Sequence, residues 1–169
     1  IYNTAYVFDR QGSEVAHYHK IHGFSFAEEE KYFRGGGALC TFELDGVPVG
    51  LIICYDLRFG ELVRLLALRG IDMLFEPAQW PMERIAHWDI LNRARAIENQ
   101  VYVACVNGCG HSMMLSPLGE ILAEAGQGEA LCTAEADLAQ LHNIRERMHI
   151  FRDRRTDVYH LSEGGAAHE

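Results

Sequence analysis

Short apolar segments alternate with polar turns along most of the chain, and their periods predict a mixed α/β domain. Residues 2–8 and 14–21 alternate as strands do, and the turn at 9–12 between them predicts a β-hairpin. Further strands are predicted over 39–44, 47–54, 71–76, 101–106, 112–116, 121–125 and 130–136. Helical spacing predicts helices over 61–69, 84–98 and 138–147, the last capped by Asp137.

The middle of the chain predicts a parallel or mixed sheet covered by helices. The run VPVGLIIC at 47–54 is almost entirely apolar, as in a strand buried on both faces. The helix over 61–69, with Gly70 as its C-cap, leads to the strand at 71–76 and completes a βαβ unit. An apolar stripe predicts how the helix over 84–98 packs, through Ile85, Trp88, Leu91, Ala94, and Ile97 or Ala96.

Composition and charge narrow the class of protein. The 169 residues are 49% hydrophobic and 23% charged, which suits one globular domain over 1–169. The net charge of −9 disfavours nucleic-acid binding, because phosphates are repelled. No apolar run reaches the ~20 residues of a membrane helix, and charged residues interrupt any signal-peptide core, so no membrane contact is expected. Five irregularly spaced cysteines are typical of reduced thiols, which predicts a cytoplasmic protein.

Cys54 lies where the apolar strand ends and a helix begins a few residues later. A side chain at such an elbow projects from the carboxyl edge of the sheet, where α/β proteins place their ligands. A nearby helix N-terminus is expected to lower the pKa of the thiol and to hold an oxyanion. Cys54 is therefore a candidate nucleophile; the alternative is a small buried core residue.

Charged residues between 18 and 31 supply two more candidates. Lys20 is one of only two lysines, and strand alternation places it on one face with Tyr18 and His22. As a fixed positive charge Lys20 is suited to stabilise an oxyanion, the alternative being a solvent-facing edge lysine. The acidic run at 28–30 offers a carboxylate to the same site or forms a solvated loop.

Other polar and aromatic residues carry weaker signals. Trp80 follows a strand and is either a pocket wall or a structural aromatic residue. The glycines at 35–37 indicate a turn, because no strand and helix flank them as in a phosphate loop. Two groups fall short of a metal site in spacing or ligand number: His17, His19 and His22, and Cys105, Cys109 and His111.

Eight segments together resemble the nitrilase (carbon–nitrogen hydrolase) superfamily. They occur in the family's order and cover nearly the whole chain: YNTAYVFDRQG, YHKIHGF, EEEKYFRGGG, GLIICYDLRFGEL, EPAQWP, HWDILNRARAIENQVYVA, GHSMMLSPLGEI and FRDRRTDVY. The resemblance implies an α-β-β-α sandwich, an α/β fold in which mixed sheets are flanked by helices. It also implies assembly into a homodimer or a higher homo-oligomer.

The family's chemistry implies a Glu–Lys–Cys constellation that hydrolyses non-peptide C–N bonds without a metal or organic cofactor. Cys54 matches the nucleophile, Lys20 the lysine, and Glu29 the supporting glutamate, with Glu28 and Glu30 as alternatives. The implied reaction is attack of a thiolate on a small-molecule amide, release of ammonia, and hydrolysis of a thioester.

The residues after Cys54 indicate which branch of the family the chain resembles. The run CYDLRF at 54–59 is similar to omega-amidase-like members. In that group Arg58 is a candidate partner for a substrate carboxylate, with a structural salt bridge as an equal alternative. The backbone N–H near Tyr55 is implied as an oxyanion donor, and Trp80 as part of the substrate pocket.

The chain also departs from the family pattern. The family's general-base glutamate lies in a front segment, about a third of a typical member, that precedes the position matching Ile1. The loop near Gly108 is shorter than usual, and Gly60 replaces a proline. The resemblance thus covers the C-terminal two thirds of the family domain.

Three functional hypotheses follow from these observations. The first is a thiol hydrolase that acts on carboxylic or dicarboxylic acid monoamides. The second is a truncated, catalytically impaired binding or assembly module that keeps the pocket without the base. The third is another cysteine hydrolase, with a Cys–His pair that uses His22 or His111.

Overall fold

The computed structural model describes residues 1–164, which form a six-stranded sheet, a two-stranded sheet and three α-helices. The large sheet contains, in spatial order, β3 (Cys40–Leu44), β4 (Val47–Leu51), β5 (Met73–Ala78), β6 (Tyr102–Asn107), β7 (Ser112–Leu115) and β8 (Ile121–Ala125). Strands β4, β5 and β6 are parallel, and the other pairs are antiparallel. The small sheet is the hairpin of β1 (Thr4–Phe8) and β2 (Glu14–His19). The helices are α1 (Gly60–Leu68), α2 (Ile85–Asn99) and α3 (Leu138–Arg147).

Local sequence signals account for several of these boundaries. Asp45 and Gly46 both have positive φ, 51° and 81°, as the tight turn between β3 and β4 requires. Gly70, at φ 88°, follows the end of α1 and takes a conformation that other residues rarely adopt. The Asp137 side chain accepts hydrogen bonds from Ala139 N and Gln140 N, which confirms it as the cap of α3.

Helices and hairpin lie on opposite faces of the large sheet. On one face, α1 and α2 enclose an apolar core built on Leu66, Trp88, Leu74 and Val103. On the other face, Tyr18 of β2 packs with β3 and β4 in a smaller apolar cluster. The sequence order of α/β elements therefore produces the predicted mixed sheet with helices packed on it, and places residues 18–22 close to the end of β4.

Several predicted elements are confirmed, and others are wrong. The β1–β2 hairpin, α1, α2 and the β7–β8 hairpin form where predicted. The strand predicted over 130–136 is absent from the described residues; Leu131 is 91% exposed and has no sheet to pack against. The strand predicted over 47–54 ends at Leu51, because a 3-10 turn begins at Cys54. On α2, Ile97 is 52% exposed and Ala96 is buried instead.

The segment after α3 crosses the surface and returns to α1, as its many charges and few apolar residues predict. Gln100 Nε2 donates to the Met148 carbonyl at 3.0 Å. Arg69 binds the Glu163 carboxylate through two hydrogen bonds of 2.7 and 2.5 Å. Among residues 1–164, no helix has the length and apolar character needed to cross a bilayer.

Candidate active site

Cys54 occupies a sharp elbow directly after β4. Its φ of 51° lies in the left-handed region, which is uncommon for a residue with a side chain. The 3-10 turn Cys54–Arg58 begins there and leads into α1. Such backbone strain persists only where the surroundings hold it, and it is found preferentially at functional sites. The predicted strand-to-helix elbow is confirmed.

The buried side chain of Asp56 stabilises this elbow through hydrogen bonds. Its carboxylate has 0% exposure and accepts four hydrogen bonds: from Tyr18 Oη at 2.9 Å, Ile53 N at 3.1 Å, His22 N at 3.0 Å and His22 Nδ1 at 2.8 Å. These bonds join the elbow to the segment that follows β2. Sequence reasoning did not identify Asp56; the available signal was a carboxylate within a buried run, which must find partners.

Arg95 of α2 fixes the far end of the same turn. Its Nε and Nη2 atoms donate to the Leu57 carbonyl at 3.1 and 2.8 Å. Arg95 is buried, and so are Asn92 and Asn99 on the same helix face. The packing face of α2 is thus partly polar, which the apolar stripe in its sequence does not indicate.

Lys20 lies just after β2 and forms a buried ion pair with Glu29. The Lys20 side chain is 5% exposed, and its Nζ lies 2.5 Å from Glu29 Oε2. Glu29 also accepts from Asn3 Nδ2 at 3.0 Å and from Phe24 N at 2.8 Å. Glu28 instead binds the exposed Lys31, and Glu30 is exposed. The geometry therefore singles out Glu29 among the three glutamates, and Lys20 is not a solvent-facing edge lysine.

A close backbone approach keeps Lys20 in place. Gly36 N donates to the Lys20 carbonyl at 2.8 Å, and Lys20 N donates to the Asn3 carbonyl at 2.9 Å. A Cβ atom at Gly36 would lie 2.1 Å from the His19 carbonyl oxygen, so only glycine fits there. Gly36 is thus needed for packing against the end of β2, whereas Gly37 lies in open space.

Charges around the site shift two pKa values in opposite directions. Burial raises the pKa of the Cys54 thiol, and the negative charges of Glu76 and Glu29 add to this effect. A backbone hydrogen bond from Gln79 and the Lys20 charge oppose the increase without cancelling it. Burial would also raise the pKa of Glu29, but hydrogen bonds from Lys20, Asn3 and Phe24 N outweigh it and lower that pKa. The expectation of a lowered thiol pKa is wrong, because burial dominates at Cys54.

A small cavity of about 50 Å³ opens beside Cys54. Three of its lining residues were predicted for the substrate pocket: Tyr55, Arg58 and Trp80. The others are Phe24, Gln79, Pro81 and Arg84, which sequence reasoning missed. Within residues 1–164 Arg58 forms no ion pair, so the structural salt bridge considered for it is not observed there. Arg58 instead stacks on Trp80, with its Cζ 4.7 Å from the ring centre.

The histidines of the Cys–His hypothesis lie elsewhere. His22 Nδ1 is bound to Asp56 at 2.8 Å, and its ring stacks on Phe59 at 3.6 Å between centres. His111 Nδ1 is 2.6 Å from Glu124 Oε1. Neither histidine lines the cavity beside Cys54. In the described part of the chain, no cluster of three or more His, Cys, Asp or Glu side chains is arranged to hold a metal ion.

Comparison with known proteins gives consistent matches. The chain is 40% identical to the 2-oxoglutaramate amidase of Bacillus subtilis over 168 residues, which cover 94% of this chain and 65% of that protein. It is 38% identical to an omega-amidase of Homo sapiens over 177 residues, which cover 94% of this chain and 64% of that protein. The NitFhit protein of C. elegans superimposes with a TM-score of 0.88 at 34% identity, over 95% of this chain and 43% of that one. The chain thus spans about 65% of the length of these curated amidases.

A sequence model of one protein family also matches the chain. Residues 1–146 match the carbon-nitrogen hydrolase family, and they contain Lys20, Glu29, Cys54 and every residue that lines the cavity. The mixed sheet with helices packed on it agrees with Nit3 of Saccharomyces cerevisiae, a member of the nitrilase superfamily that superimposes with a TM-score of 0.83 at 33% identity, over 91% of this chain and 60% of that one. The chain therefore belongs to the carbon–nitrogen hydrolase family, as an omega-amidase-like member of the nitrilase superfamily.

Proposed function

We propose that the protein hydrolyses short amides, carboxylic or dicarboxylic acid monoamides, through a thioester on Cys54. The observation that carries this proposal is the buried Lys20–Glu29 ion pair, whose charges act on a thiol held at a strained elbow. Its relatives are named for amide hydrolysis, which supports the same reaction class. They give no support to a binding or assembly module without activity.

Lys20 and Glu29 have different roles in this proposal. The Lys20 ammonium stabilises the oxyanion that forms when the thiolate attacks the amide carbon. Glu29 holds that ammonium in place, because both of its oxygens are already engaged by Lys20, Asn3 and Phe24 N. A carboxylate with a lowered pKa is a poor proton acceptor, so Glu29 does not serve as the general base.

The raised pKa of Cys54 means that the thiol needs a base. Among the described residues, those that line the cavity include no carboxylate and no histidine. The family resemblance implies that a glutamate in the front part of the family domain supplies this base. That base takes the thiol proton, returns it to the departing ammonia, and then activates the water that hydrolyses the thioester.

The cationic and aromatic side chains that line the cavity are proposed to bind the substrate. Arg58 is proposed to bind a substrate carboxylate, with Tyr55 and Trp80 as the adjacent walls. The B. subtilis relative is named for an amide that itself bears a carboxylate, which agrees with a cationic wall. A homodimer or higher homo-oligomer in the cytoplasm belongs to the same proposal and rests on the family resemblance and the reduced thiols.

The decisive measurement is ammonia release from succinamate by the complete natural protein and its variants. Cys54→Ala should abolish turnover. Lys20→Met should lower kcat by about 10²–10³-fold, the usual effect of one lost oxyanion donor. Lys31→Met is the matched control, because Lys31 is exposed and, within residues 1–164, pairs only with Glu28. Turnover by Cys54→Ala, or equal effects of the two lysine changes, would refute the proposal.

A further inference from the structure

We infer that Arg84 is a second specificity residue, which binds the free carboxylate of the substrate together with Arg58. This inference rests on the proposed function and goes beyond it in naming the group that selects acid-terminated amides over neutral ones. Both arginines line the cavity that also contains Cys54. We call Arg58 and Arg84 the arginine pair.

Aromatic rings support both guanidinium groups. Arg58 Cζ lies 4.7 Å from the Trp80 ring centre and 5.9 Å from that of Tyr55. Arg84 Cζ lies 5.7 Å from the ring centre of Phe24 and 5.6 Å from that of Phe26. A guanidinium that stacks on a ring keeps its N–H groups available in its plane. Arg58 Nη2 also lies 3.4 Å from His87 Nδ1, and the other N–H groups of the arginine pair remain available for a carboxylate.

The arginine pair lacks the partners that most other arginines of this chain have. Within residues 1–164, neither Arg58 nor Arg84 forms an ion pair with a carboxylate. Ion pairs do form at Arg10, Arg69, Arg93, Arg95, Arg145, Arg152 and Arg155. Two unpaired cations beside one nucleophile, in a chain of net charge −9, favour an anionic ligand.

The Arg84 backbone is fixed to the same cavity wall. Trp80 Nε1 donates to the Arg84 carbonyl at 2.9 Å, and Arg84 N donates to the Pro81 carbonyl at 3.0 Å. The ring of Phe24, on which Arg84 stacks, belongs to the residue whose N–H binds Glu29. Arg84 therefore shares one neighbour, Phe24, with the Glu29 carboxylate that pairs with Lys20. A short acid-terminated amide has its amide group at Cys54 and its carboxylate at the arginine pair.

The test compares two substrates of nearly equal shape in the complete natural protein. Succinamate has a free carboxylate, and 4-oxopentanamide has a neutral methyl ketone in its place. Arg84→Met should lower kcat/KM for succinamate by about 10–100-fold, mainly through KM, and change kcat/KM for 4-oxopentanamide by no more than about twofold. Arg84→Lys should restore part of the loss, because lysine supplies charge without the planar fork. Arg147→Met is the control, since Arg147 is exposed at the end of α3 and forms no ion pair within residues 1–164.

The outcomes separate this inference from the proposed function. Equal losses for both substrates in Arg84→Met would assign Arg84 a structural role, and an unchanged kcat/KM for succinamate would exclude the carboxylate contact. Turnover of either amide by Cys54→Ala would refute the proposed function and leave the carboxylate contact to a binding measurement. That measurement is the thermal stabilisation of the protein by succinate, which should be present in the parent and lost in Arg84→Met. Equal stabilisation of both proteins would overturn the inference.

Discussion

Replacing Asp56 by alanine should destabilise the protein more than any other single change at the site. The carboxylate accepts hydrogen bonds from Tyr18 Oη, Ile53 N and two nitrogen atoms of His22, and it is completely buried. Alanine provides no acceptor. The hydroxyl of Tyr18, itself 2% exposed, and the backbone N–H of Ile53 would remain buried without a partner.

The magnitude follows from the number of donors that lose their acceptor. A buried unsatisfied donor costs about 1–3 kcal/mol, and the two buried donors, together with the two nitrogen atoms of half-buried His22, which are partly rehydrated, amount to roughly 3–6 kcal/mol. Domains are commonly stable by about 5–15 kcal/mol, so the loss is a large part of the total. Asp56→Asn keeps one acceptor oxygen, and we expect it to cost roughly half as much.

Urea unfolding followed by tryptophan fluorescence measures the effect, because Trp80 and Trp88 both lie in the main core. With a urea m value of about 2 kcal/mol/M, Asp56→Ala should lower the midpoint by roughly 1.5–3 M. The control is Arg10→Ala, which removes an exposed ion pair to Asp45 and should cost only ~0–1 kcal/mol. Midpoints for Asp56→Ala and Arg10→Ala that agree within about 0.3 M would refute the reasoning.

Three further predictions concern ionisation. Burial raises the pKa of Glu76 well above its ordinary value, so folding takes up a proton and stability falls as pH rises above that ordinary value. Glu76→Gln should remove this slope and raise Tm most near pH 8; an unchanged slope would contradict it. At a pH above 4.5, the ordinary pKa of a glutamate, the lowered pKa of Glu29 stabilises the folded state. This stabilisation is lost as the pH falls through the lowered pKa. The stability difference between the parent and Glu29→Gln should therefore shrink in acid, and a constant difference would be evidence against it. Iodoacetamide should alkylate Cys54 with a midpoint above the ordinary thiol range, and Lys20→Met should shift it upward because the Lys20 charge lowers that pKa. A midpoint that Lys20→Met leaves in place would show that the charge does not reach the thiol.

The elbow and the lysine were accessible to sequence reasoning because local patterns encode them. A continuous apolar run that stops at a cysteine marks the end of a buried strand, and the structure confirms the elbow there. Alternation over residues 18–22 of the sequence placed Tyr18, Lys20 and His22 together, and Tyr18 and His22 indeed share Asp56 as their partner. The roles of Cys54, Lys20 and Glu29 in catalysis stay predictions.

The rest of the site depends on contacts between distant parts of the chain. Asp56 meets Tyr18 38 positions away, and Arg95 meets Leu57 across 38 positions. No local pattern marks such pairs, so neither residue was predicted. Arg84 was missed for the same reason, since its aromatic partner Phe24 lies in another segment.

The pKa of Cys54 shows why the position of a residue along the chain is insufficient to predict the direction of its pKa shift. The prediction of a lowered value assumed that a helix N-terminus lies next to the thiol. Helix α1 begins only at Gly60, after the 3-10 turn, and the effect of a helix terminus decays within about one turn. Burial then determines the direction of the shift, and burial is a property of the folded chain rather than of the segment.

The β1–β2 hairpin contributes to the site more than to the sheet. It does not extend the six-stranded sheet, and its buried contact with that sheet is the small cluster around Tyr18. Yet the segments at its two ends contribute to the ion pair. Lys20, which carries the ammonium, follows β2, and Asn3, which binds Glu29, precedes β1. Asn3 receives the Lys20 backbone N–H and donates its side chain to Glu29, so the hairpin closes a ring of hydrogen bonds around one buried ion pair. A buried ion pair adds little net stability because both charges lose water. The arrangement is therefore better explained as the positioning of a charge beside Cys54 than as a contribution to folding.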